Sequence, residues 1–337
     1  MNSLESYLID LINEQERVHI MQEVVAETFN IPVQDVSQIL QSMCQSGRII
    51  EHAKDTYSLA YKHVEHRYPI KELTENKVTD DIFYAFFKNT PEIAYSNLLY
   101  AFQELLNNAI EHSGGTEVII TLARDERKLF FNIVDDGAGI FNKIVNGLNL
   151  DDKRYAILEL SKGGFTSDKN HHAGEGIFFS SKCGDFFYIG SDNMEYMVEE
   201  DFGLLQKTFL LNPPRGTNVL FMIKTTHKQH RKELFDLYRG NPNNDEDFRK
   251  TIVPVKFLEY GIDKPLYHSR SQARRLMSRM EEYETVTLDF LGIESIEHSF
   301  ADEIFRVFKN YHPDIEILTV NCCNSVKNMI KRYSKRS

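Results

Sequence analysis

The sequence lacks any apolar run long enough to cross a bilayer, which takes about 20 residues. Its first ten residues, MNSLESYLID, also lack the order of basic, apolar and small residues that marks a signal peptide. Cysteine is scarce, with four in 337 residues, and two of these, Cys322 and Cys323, are adjacent. This spacing indicates neither a disulfide framework nor a zinc site. We therefore expect a cytoplasmic protein in a reducing compartment, without membrane contact.

Basic residues are in the minority, with 39 Lys and Arg against 50 Asp and Glu, so the formal net charge is −11. That balance argues against a protein whose main role is to coat nucleic acid or anionic membrane. Hydrophobic residues make up 42% of the chain and aromatic residues 12%, which is enough to build sizeable cores. The sequence contains no internal repeat and no low-complexity tract, and its length predicts two or three globular domains.

Residues 1–60 predict three helices followed by a β-hairpin, the order of a winged helix-turn-helix. The apolar residues of SLESYLIDLINEQ follow helical spacing, and a second helix is expected over residues 21–29. A third helix is expected over residues 33–45, with Pro32 at its start and Gly47 just past its end. The segment GRIIEHAKDTYSLA then predicts the two-stranded wing.

A winged helix can bind DNA, but the charges of this one disfavour that role. Residues 1–60 hold nine acidic side chains and three basic ones, Arg17, Arg48 and Lys54. The expected recognition helix, PVQDVSQILQSMCQ, contains no Lys or Arg, although its glutamines can read base edges. Because phosphate neutralisation supplies most non-specific affinity for DNA, we expect contact with a protein partner, or homodimerisation, at least as readily as DNA binding.

Residues 61–240 predict a second, larger domain with helices and strands. Two helices, near 79–88 and 91–113, precede strands expected at 117–122, 129–134, 186–190, 206–211 and 217–223. The turn-rich segment RGNPNNDED at 239–247 indicates a domain boundary. The segment HRYP at 66–69 has no acidic residue after its histidine and no long helical hairpin before it. We interpret it as a loop rather than a phosphoacceptor site.

The segment ELLNNAIEHS, residues 104–113, has an unusual helical pattern. Glu104, Asn108 and His112 recur at four-residue intervals and so share one face, although Asn is a poor residue for a helix interior. Asn108 offers a side-chain oxygen to Mg²⁺, which takes one or two protein oxygens alongside substrate phosphates. Glu104 can orient or deprotonate a water or hydroxyl. A surface helix with a polar stripe is the alternative interpretation of this segment taken alone.

The segment LFFNIVDDGAGI runs from a strand into the pattern D-x-G-x-G. The carboxylate of Asp135, at the strand end, can accept a hydrogen bond from an exocyclic amine such as that of adenine. Gly137 and Gly139 let the backbone turn and approach a ligand closely. An ordinary acidic turn is the alternative interpretation.

Two further glycine-containing segments follow. Gly174 and Gly176, in HHAGEGIFFSS, open an apolar helical stretch whose first backbone N–H groups suit phosphate, with a simple helix cap as the alternative. RGTNVLFMI places Gly216 and Thr217 at the start of a strand.

The ordered set ELLNNAIEHS, DDGAGI, AGEGI and RGTNVLFMI resembles the GHKL ATP-binding family. That family includes gyrase B subunits, MutL proteins, histidine kinases and anti-sigma-factor serine kinases. The resemblance covers about residues 75–225, and four motifs in order are more specific than any one of them. It implies the Bergerat fold, an α/β sandwich in which ATP and Mg²⁺ bind between a mixed sheet and its helices.

The resemblance also implies roles for individual residues. Asn108 would bind Mg²⁺, and Glu104 would be the catalytic base or water-orienting group. Asp135 would bind the adenine amine, with Thr217 supporting it through a water molecule.

The remaining implied roles concern glycines and a lid. Gly137 and Gly139 would shape the adenine pocket, and Gly174 and Gly176 would contact phosphate. Residues 141–173 would form the ATP lid, a polar, glycine-containing segment. Four of its side chains are candidates for phosphate contact, with a solvated loop as the alternative for each: Lys162, Lys169, His171 and His172.

Residues 248–337 alternate strand and helix and predict a small α/β layer structure. Within them, TVTLDFLGIESIEHSFADEIFRVF resembles STAS-like domains. STAS antagonists of anti-sigma factors carry a phosphorylatable serine at the start of a helix, and Ser299 lies near that place. Phe300, however, stands where the antagonists have glycine. Ser299 is therefore a candidate phosphoacceptor, with a helix cap as the alternative.

These observations predict an α/β multidomain protein with a winged helix-turn-helix, a Bergerat-type sandwich and a STAS-like domain. We expect a regulatory protein that binds ATP and Mg²⁺. It would hydrolyse ATP, as GHKL ATPases do, or transfer the γ-phosphate to a Ser or Thr of a protein partner, as anti-sigma-factor kinases do. A non-catalytic, ATP-gated interaction switch and an ATP-responsive, DNA-binding transcription regulator are the alternatives.

Overall fold

The computed structural model describes residues 3–13, 17–163, 176–198, 212–239, 248–262 and 266–334. It is a mixed α/β structure with three β-sheets among these residues. The chain divides into two compact units. The first contains Met1–Gly137, Ser181–Asn193 and Met197–Lys228, and the second contains Ala138–Ser180, Met194–Tyr196 and Gln229–Ser337.

The first unit begins with three helices and a small antiparallel sheet of strand order β1-β3-β2. These elements are α1 (Ser3–Asn13), β1 (Val18–His19), α2 (Gln22–Phe29), α3 (Val33–Gln45), β2 (Ile49–Ala53) and β3 (Thr56–Leu59). Leu8, Val36 and Leu40 are among the buried residues of their shared core. The three predicted helices and the hairpin are confirmed, and Gly47 has the positive φ expected where α3 ends. The two-residue strand β1 was not predicted.

The next sheet has six strands in the order β4-β5-β6-β9-β7-β8, and five of these strands lie wholly within the first unit. Its strands are β4 (Lys62–Pro69), β5 (Glu117–Arg124), β6 (Lys128–Asp135), β7 (Phe186–Ser191), β8 (Met194–Val198) and β9 (Thr217–Lys224). The strands predicted at 117–122, 129–134, 186–190 and 217–223 are confirmed. The strand predicted at 206–211 lies outside the described residues.

The interpretation of residues 66–69 as a loop was wrong. They belong to β4, which pairs antiparallel with β5 so that His66 lies opposite Ile120. None of the side chains of β4 is buried. Its sequence therefore lacks a clear apolar face, and pairing with β5 is what makes this segment a strand.

The helical layer of the first unit packs against this sheet. It contains α4 (Glu75–Val78), a π-helical segment (Thr79–Phe83), α5 (Tyr84–Phe86), α6 (Glu92–Asn107) and a second π-helical segment (Asn108–His112). The Phe102 ring on α6 lies 5.3 Å from the Phe131 ring on β6, centroid to centroid. The predicted helices near 79–88 and 91–113 are confirmed, apart from the two wider π turns.

The second unit contains a parallel sheet of order β10-β11-β12 surrounded by helices. Its principal elements are α7 (Ile140–Leu148), α8 (Tyr155–Lys162), the first part of α9 (Gly176–Cys183), α10 (Arg231–Tyr238), β10 (Lys250–Pro254), α11 (Arg270–Met277), β11 (Thr285–Asp289), α12 (His298–Asp302), α13 (Lys309–Tyr311), β12 (Glu316–Val320) and α14 (Asn324–Ser334). A π-helical segment, Glu303–Phe308, joins α12 to α13. The alternation predicted for residues 248–337 is confirmed.

The expected lid, residues 141–173, is more ordered than its composition indicated. Its described part contains most of α7 and all of α8. Phe141, Ile144, Ile157 and Leu158 are fully buried, so apolar residues at helical spacing fix these two helices. Within the described ranges, no helix is both long and apolar enough to span a bilayer.

Candidate functional site

Asp135 lies at the end of β6, in the middle of three neighbouring strands. It is paired with Val118 on β5 and with Thr217 on β9. Its side chain is buried, and its Oδ1 accepts a hydrogen bond of 2.9 Å from the Gly137 N–H. Thr217 bonds the same carboxyl group through its backbone N–H and its hydroxyl. The predicted contribution of Thr217 is therefore a direct contact in this structure.

The electrostatics of Asp135 combine two opposing effects. Burial raises the pKa of Asp135 to about 6, and the hydrogen bonds from Gly137 and Thr217 work against that shift. The group is consequently ionised at neutral pH and acts as a hydrogen-bond acceptor. A buried, ionised carboxylate needs donors around it, and a ligand amine is one that it can accept.

Two glycines bring backbone close to Asp135. A Cβ at Gly137 would lie 2.3 Å from the Ser113 carbonyl oxygen, so the D-x-G loop can meet the end of the preceding helical segment. Gly216 has φ +86°, and a Cβ there would lie 1.9 Å from the Asp135 carbonyl oxygen. Gly216 had no predicted role, although its place directly before a strand is visible in the sequence.

Asp136 is a site residue that the sequence reasoning missed. Its exposed carboxylate accepts hydrogen bonds from the Thr116 N–H and the Thr116 hydroxyl, both 2.6 Å, and from the Glu117 N–H at 3.0 Å. These bonds, chiefly that from Glu117, lower the pKa of Asp136 to about 2. Asp136 thereby ties the start of β5 to the D-x-G loop. The second aspartate of DDGAGI was the sequence feature that could have indicated this role for Asp136.

Glu104 and Asn108 lie at the end of α6, where the helix widens. Asn108 begins the π-helical segment, and its Nδ2 donates a 2.8 Å hydrogen bond to the Glu104 carbonyl oxygen. The asparagine amide thus supplies an extra donor to a backbone carbonyl at the point where regular α-helical bonding ends. This arrangement directs its NH₂ group to the backbone and leaves Oδ1 as the acceptor. Such π turns are frequent at functional sites.

The first unit therefore brings five of the predicted site residues to two neighbouring places, the strand ends and the end of the helix. Asp135, Gly137 and Thr217 are in direct contact at the strand ends. Glu104 lies on α6 and Asn108 begins the π-helical segment, and Ser113, directly after that segment, meets Gly137. This last contact is set by tertiary packing, because residues 113 and 137 are separated by two strands.

The other predicted glycines belong to the second unit or lie outside the described residues. Gly139 precedes α7 with φ +82°, and Gly176 is the first residue of α9. Four predicted residues lie outside the described ranges: Lys169, His171, His172 and Gly174.

Phosphate contact by Lys162 is contradicted by the structure. Its side chain is buried, with Nζ 2.6 Å from Glu159 Oε1. The same ammonium donates to the carbonyl oxygens of Arg275 and Ser278, each at 3.1 Å. Its three hydrogens therefore each have an acceptor inside the second unit. Burial lowers the pKa of Lys162, and Glu159 opposes that shift.

The interpretation of Ser299 as a helix cap was wrong. The cap position of α12 is Glu297, whose backbone is extended, and Ser299 lies inside the first turn. Its hydroxyl donates to the His268 carbonyl oxygen instead. A phosphoryl group at Ser299 would have to replace this hydrogen bond.

The donor set of the first unit fits Mg²⁺ with nucleotide. Among the described residues there is no group of three or more His, Cys, Asp and Glu side chains able to hold a metal ion. Mg²⁺ needs one or two protein oxygens when phosphates and waters complete its shell, and the Asn108 oxygen suits that requirement.

Comparison with known proteins adds information on the C-terminal region. Residues 272–327 match the family model described as a STAS-like domain of unknown function (DUF4325). No curated protein matches the chain. The matched residues run from α11 into α14 and include β11 and β12. The chain therefore carries a C-terminal STAS-like domain.

Proposed function

We propose that this protein is a regulator that binds ATP with Mg²⁺ through a Bergerat-type site in the first unit. Asp135 carries the proposal. It is a buried carboxylate at a strand end, held by Gly137 and Thr217, with glycine backbone on both sides. Asp136, the next residue, is exposed and bonds Thr116 and Glu117 instead.

Adenine recognition follows from the state of this carboxylate. Its ionised oxygens accept the hydrogen bond of the adenine amine, and the hydroxyl of Thr217 holds the carboxyl group in place. Because Gly137 and Gly216 have no side chains, the Ser113 and Asp135 carbonyl groups can lie directly against them, which holds the backbone close around this carboxylate.

Phosphate chemistry is assigned to the end of α6. The Asn108 oxygen would hold Mg²⁺, which supplies charge neutralisation at the phosphates when it is bound. Glu104 lies one helical turn before Asn108 and accepts the proton of a water or of a Ser or Thr hydroxyl. The reaction is then hydrolysis of ATP or transfer of its γ-phosphate to a protein partner.

The decisive experiment is incubation of the full-length protein with γ-labelled ATP and Mg²⁺. Labelled protein indicates a kinase, and labelled free phosphate indicates an ATPase. Nucleotide that binds without either product indicates an ATP-gated switch. The Asp135→Asn variant is the matched control, and equal nucleotide affinity in this variant and the wild type would overturn the proposed site.

The N-terminal region is proposed to be a winged helix that contacts protein rather than DNA. Arg48, one of its three basic residues, bonds Glu5 at 2.9 Å and Glu126 at 3.1 Å. It is therefore engaged within the first unit. A titration with duplex DNA at several salt concentrations tests this assignment. Affinity that persists at physiological salt and falls steeply as salt is raised would favour the transcription-regulator alternative.

A further inference from the structure

We infer that the outer edge of β4 binds the same edge of a second copy of this chain, so that the six-stranded sheets of the two copies join through an antiparallel β4–β4 pair. This surface is separate from the proposed ATP site, because β4 contributes none of the residues of that site. The inference therefore stands or falls independently of nucleotide binding. It rests on the backbone groups of β4, the exposure of its side chains and the order of its charges.

Strand β4 is long and has one unpaired side. It has eight residues, Lys62–Pro69, and lies at the end of the strand order, so β5 is its one strand neighbour among the described residues. Strands in globular proteins usually have about five or six residues. An edge of this length presents a row of N–H and C=O groups with which another strand can pair.

The register with β5 determines which residues of β4 point outward. The Ile70 N–H donates to the Thr116 carbonyl oxygen at 2.9 Å, and these two residues continue the β4–β5 register. Because hydrogen-bonded positions alternate along an antiparallel pair, the even-numbered residues of β4 bond β5 and the odd-numbered residues direct their backbone groups outward. The outward residues are His63, Glu65, Arg67 and Pro69.

The side chains of these outward residues show that the edge is accessible. Those of Glu65 and Arg67 are 54% and 59% exposed, and His63 and Pro69 are exposed as well. Pro69 has no N–H, so its outward position removes no hydrogen bond from the β4–β5 pair. A second strand can therefore reach the backbone at each of these positions.

The order of the charges favours pairing with an identical strand. When Glu65 lies opposite Arg67 of the second copy, twofold symmetry also places Arg67 opposite Glu65 of that copy. His63 then lies opposite Pro69 in the same way. Each Glu65–Arg67 pair exchanges two backbone hydrogen bonds, and each His63–Pro69 pair makes one, because Pro69 is an acceptor only.

The neighbouring registers are disfavoured by like charges. A shift of two residues is the smallest that keeps outward groups opposite outward groups. In one direction it sets Glu65 opposite Glu65 of the second copy, and in the other it sets Arg67 opposite Arg67. Like charges directly opposite each other destabilise a strand pair. Charges that commonly protect an edge strand from pairing thus select one register here.

The other face of the pair carries apolar side chains at matching positions. Val64 and Tyr68, both partly exposed, lie opposite the buried residues Leu122 and Val118 of β5. In the favoured register Val64 lies opposite Tyr68 of the second copy, and symmetry repeats this pair. The apolar row on this face of the sheet therefore continues from one copy into the other.

Sedimentation velocity of the full-length protein is the first test. We expect a species of twice the chain mass of 39.2 kDa, whose population rises with protein concentration over about 1–100 µM. A protein that stays monomeric up to about 100 µM would overturn the inference.

Two single charge reversals give the specific test. Arg67→Glu sets carboxylates opposite each other, and Glu65→Arg sets guanidinium groups opposite each other. Each variant alone should dimerise more weakly than the wild type by about tenfold or more. An equimolar mixture of the two variants restores opposite charges at every facing position. We expect this mixture to form a heterodimer with an affinity within about threefold of the wild-type dimer.

Lys232→Glu and Glu233→Arg are the matched controls, because they make the same changes of charge at exposed positions on α10. Both should dimerise as the wild type does. Wild-type dimerisation of Arg67→Glu and Glu65→Arg would place the contact elsewhere and overturn the inference. A mixture of these two variants that dimerises no better than either alone would also overturn it.

Hydrogen–deuterium exchange of the wild type keeps the inference testable if a variant does not fold. Exchange in peptides that cover 62–69 should slow by about twofold or more as protein concentration rises through the dimer range. Peptides that cover 316–320, the edge strand β12, should exchange at a constant rate. A dimer that gives no protection at 62–69 would contradict pairing through β4.

Discussion

Asp135 and Thr217 lie opposite each other where β6 ends and β9 begins, with the Thr217 hydroxyl bonded to the Asp135 carboxyl group. The antiparallel register fixes this pair, because a slip by one residue would turn one side chain to the other face of the sheet. Residues separated by 82 positions in sequence thereby form one acceptor site.

Replacement of Asp135 by Asn should abolish ATP binding, with a loss of about 100-fold or more in affinity. The amide has one acceptor oxygen in place of two, and its NH₂ group faces the N–H donors of Gly137 and Thr217. Equilibrium dialysis with labelled ATP measures this effect. Asp125→Asn is a matched control, because Asp125 also accepts two backbone N–H groups but lies in the turn at the opposite end of β6. That variant should bind ATP as the wild type does.

Adenosine affinity should depend on pH through Asp135. Burial raises the pKa of this carboxyl group to about 6 in the folded protein. Binding of the amine needs the ionised form, which predominates above this pH. Affinity should therefore be constant near pH 8 and weaken as pH falls through about 6, by at most about tenfold per pH unit. Adenosine is the suitable probe because it has no phosphate that titrates, and a flat profile from pH 8 to 5 would contradict the assignment.

Glu104→Gln and Asn108→Ala should separate catalysis from metal binding. We expect the glutamine variant to bind ATP within about threefold of wild type and to lose turnover or phosphoryl transfer by about 100-fold or more. Asn108→Ala should weaken the Mg²⁺-dependent part of ATP binding. Both are measured with γ-labelled ATP at several Mg²⁺ concentrations. Glu111→Gln, on the exposed side of the π segment, is the control. Wild-type turnover in Glu104→Gln would remove Glu104 from the mechanism.

Asp136→Ala should lower the free energy of unfolding at neutral pH by about 1 kcal/mol or less, since the group is exposed and screened by solvent. The folded-state pKa of Asp136 is lowered to about 2, so its contribution is present above the unfolded value. It is lost as pH falls towards 2. Urea unfolding of the two proteins at pH 7 and at acid pH should show the difference shrink. A constant difference across that range would mean that the hydrogen bonds to Thr116 and Glu117 are unimportant.

Lys162→Ala should lower the free energy of unfolding by about 3 kcal/mol, because it removes the shorter of the two ion pairs of the buried Glu159 carboxylate and leaves it the 3.4 Å contact with Arg279. Glu159→Gln with Lys162→Met should cost less than the single replacement, since neither charge remains. Denaturant unfolding measures both, with Lys232→Ala as an exposed control expected to change stability by less than about 0.5 kcal/mol. A loss as small as that of the control would contradict the burial of the pair.

Local patterns account for much of what the sequence predicted. Helix α3 occupies the predicted residues 33–45, and the alternating elements of residues 248–337 are in place. The β4 strand was missed because its side chains show no apolar face, and the loop interpretation of residues 66–69 failed for that reason. The lid interpretation missed the apolar spacing of Phe141, Ile144 and Leu158 among polar residues.

The sequence by itself determined the positions of the chemically informative residues, because motif spacing and strand or helix periodicity are local properties. It placed Asp135 at a strand end and Asn108 on the polar face of a helix. Tertiary structure decided which groups these residues contact. Strand register set Thr217 against Asp135, and the pKa of Asp135 follows from burial that no local pattern reveals. Long-range packing also committed Lys162 to the STAS-like unit rather than to phosphate.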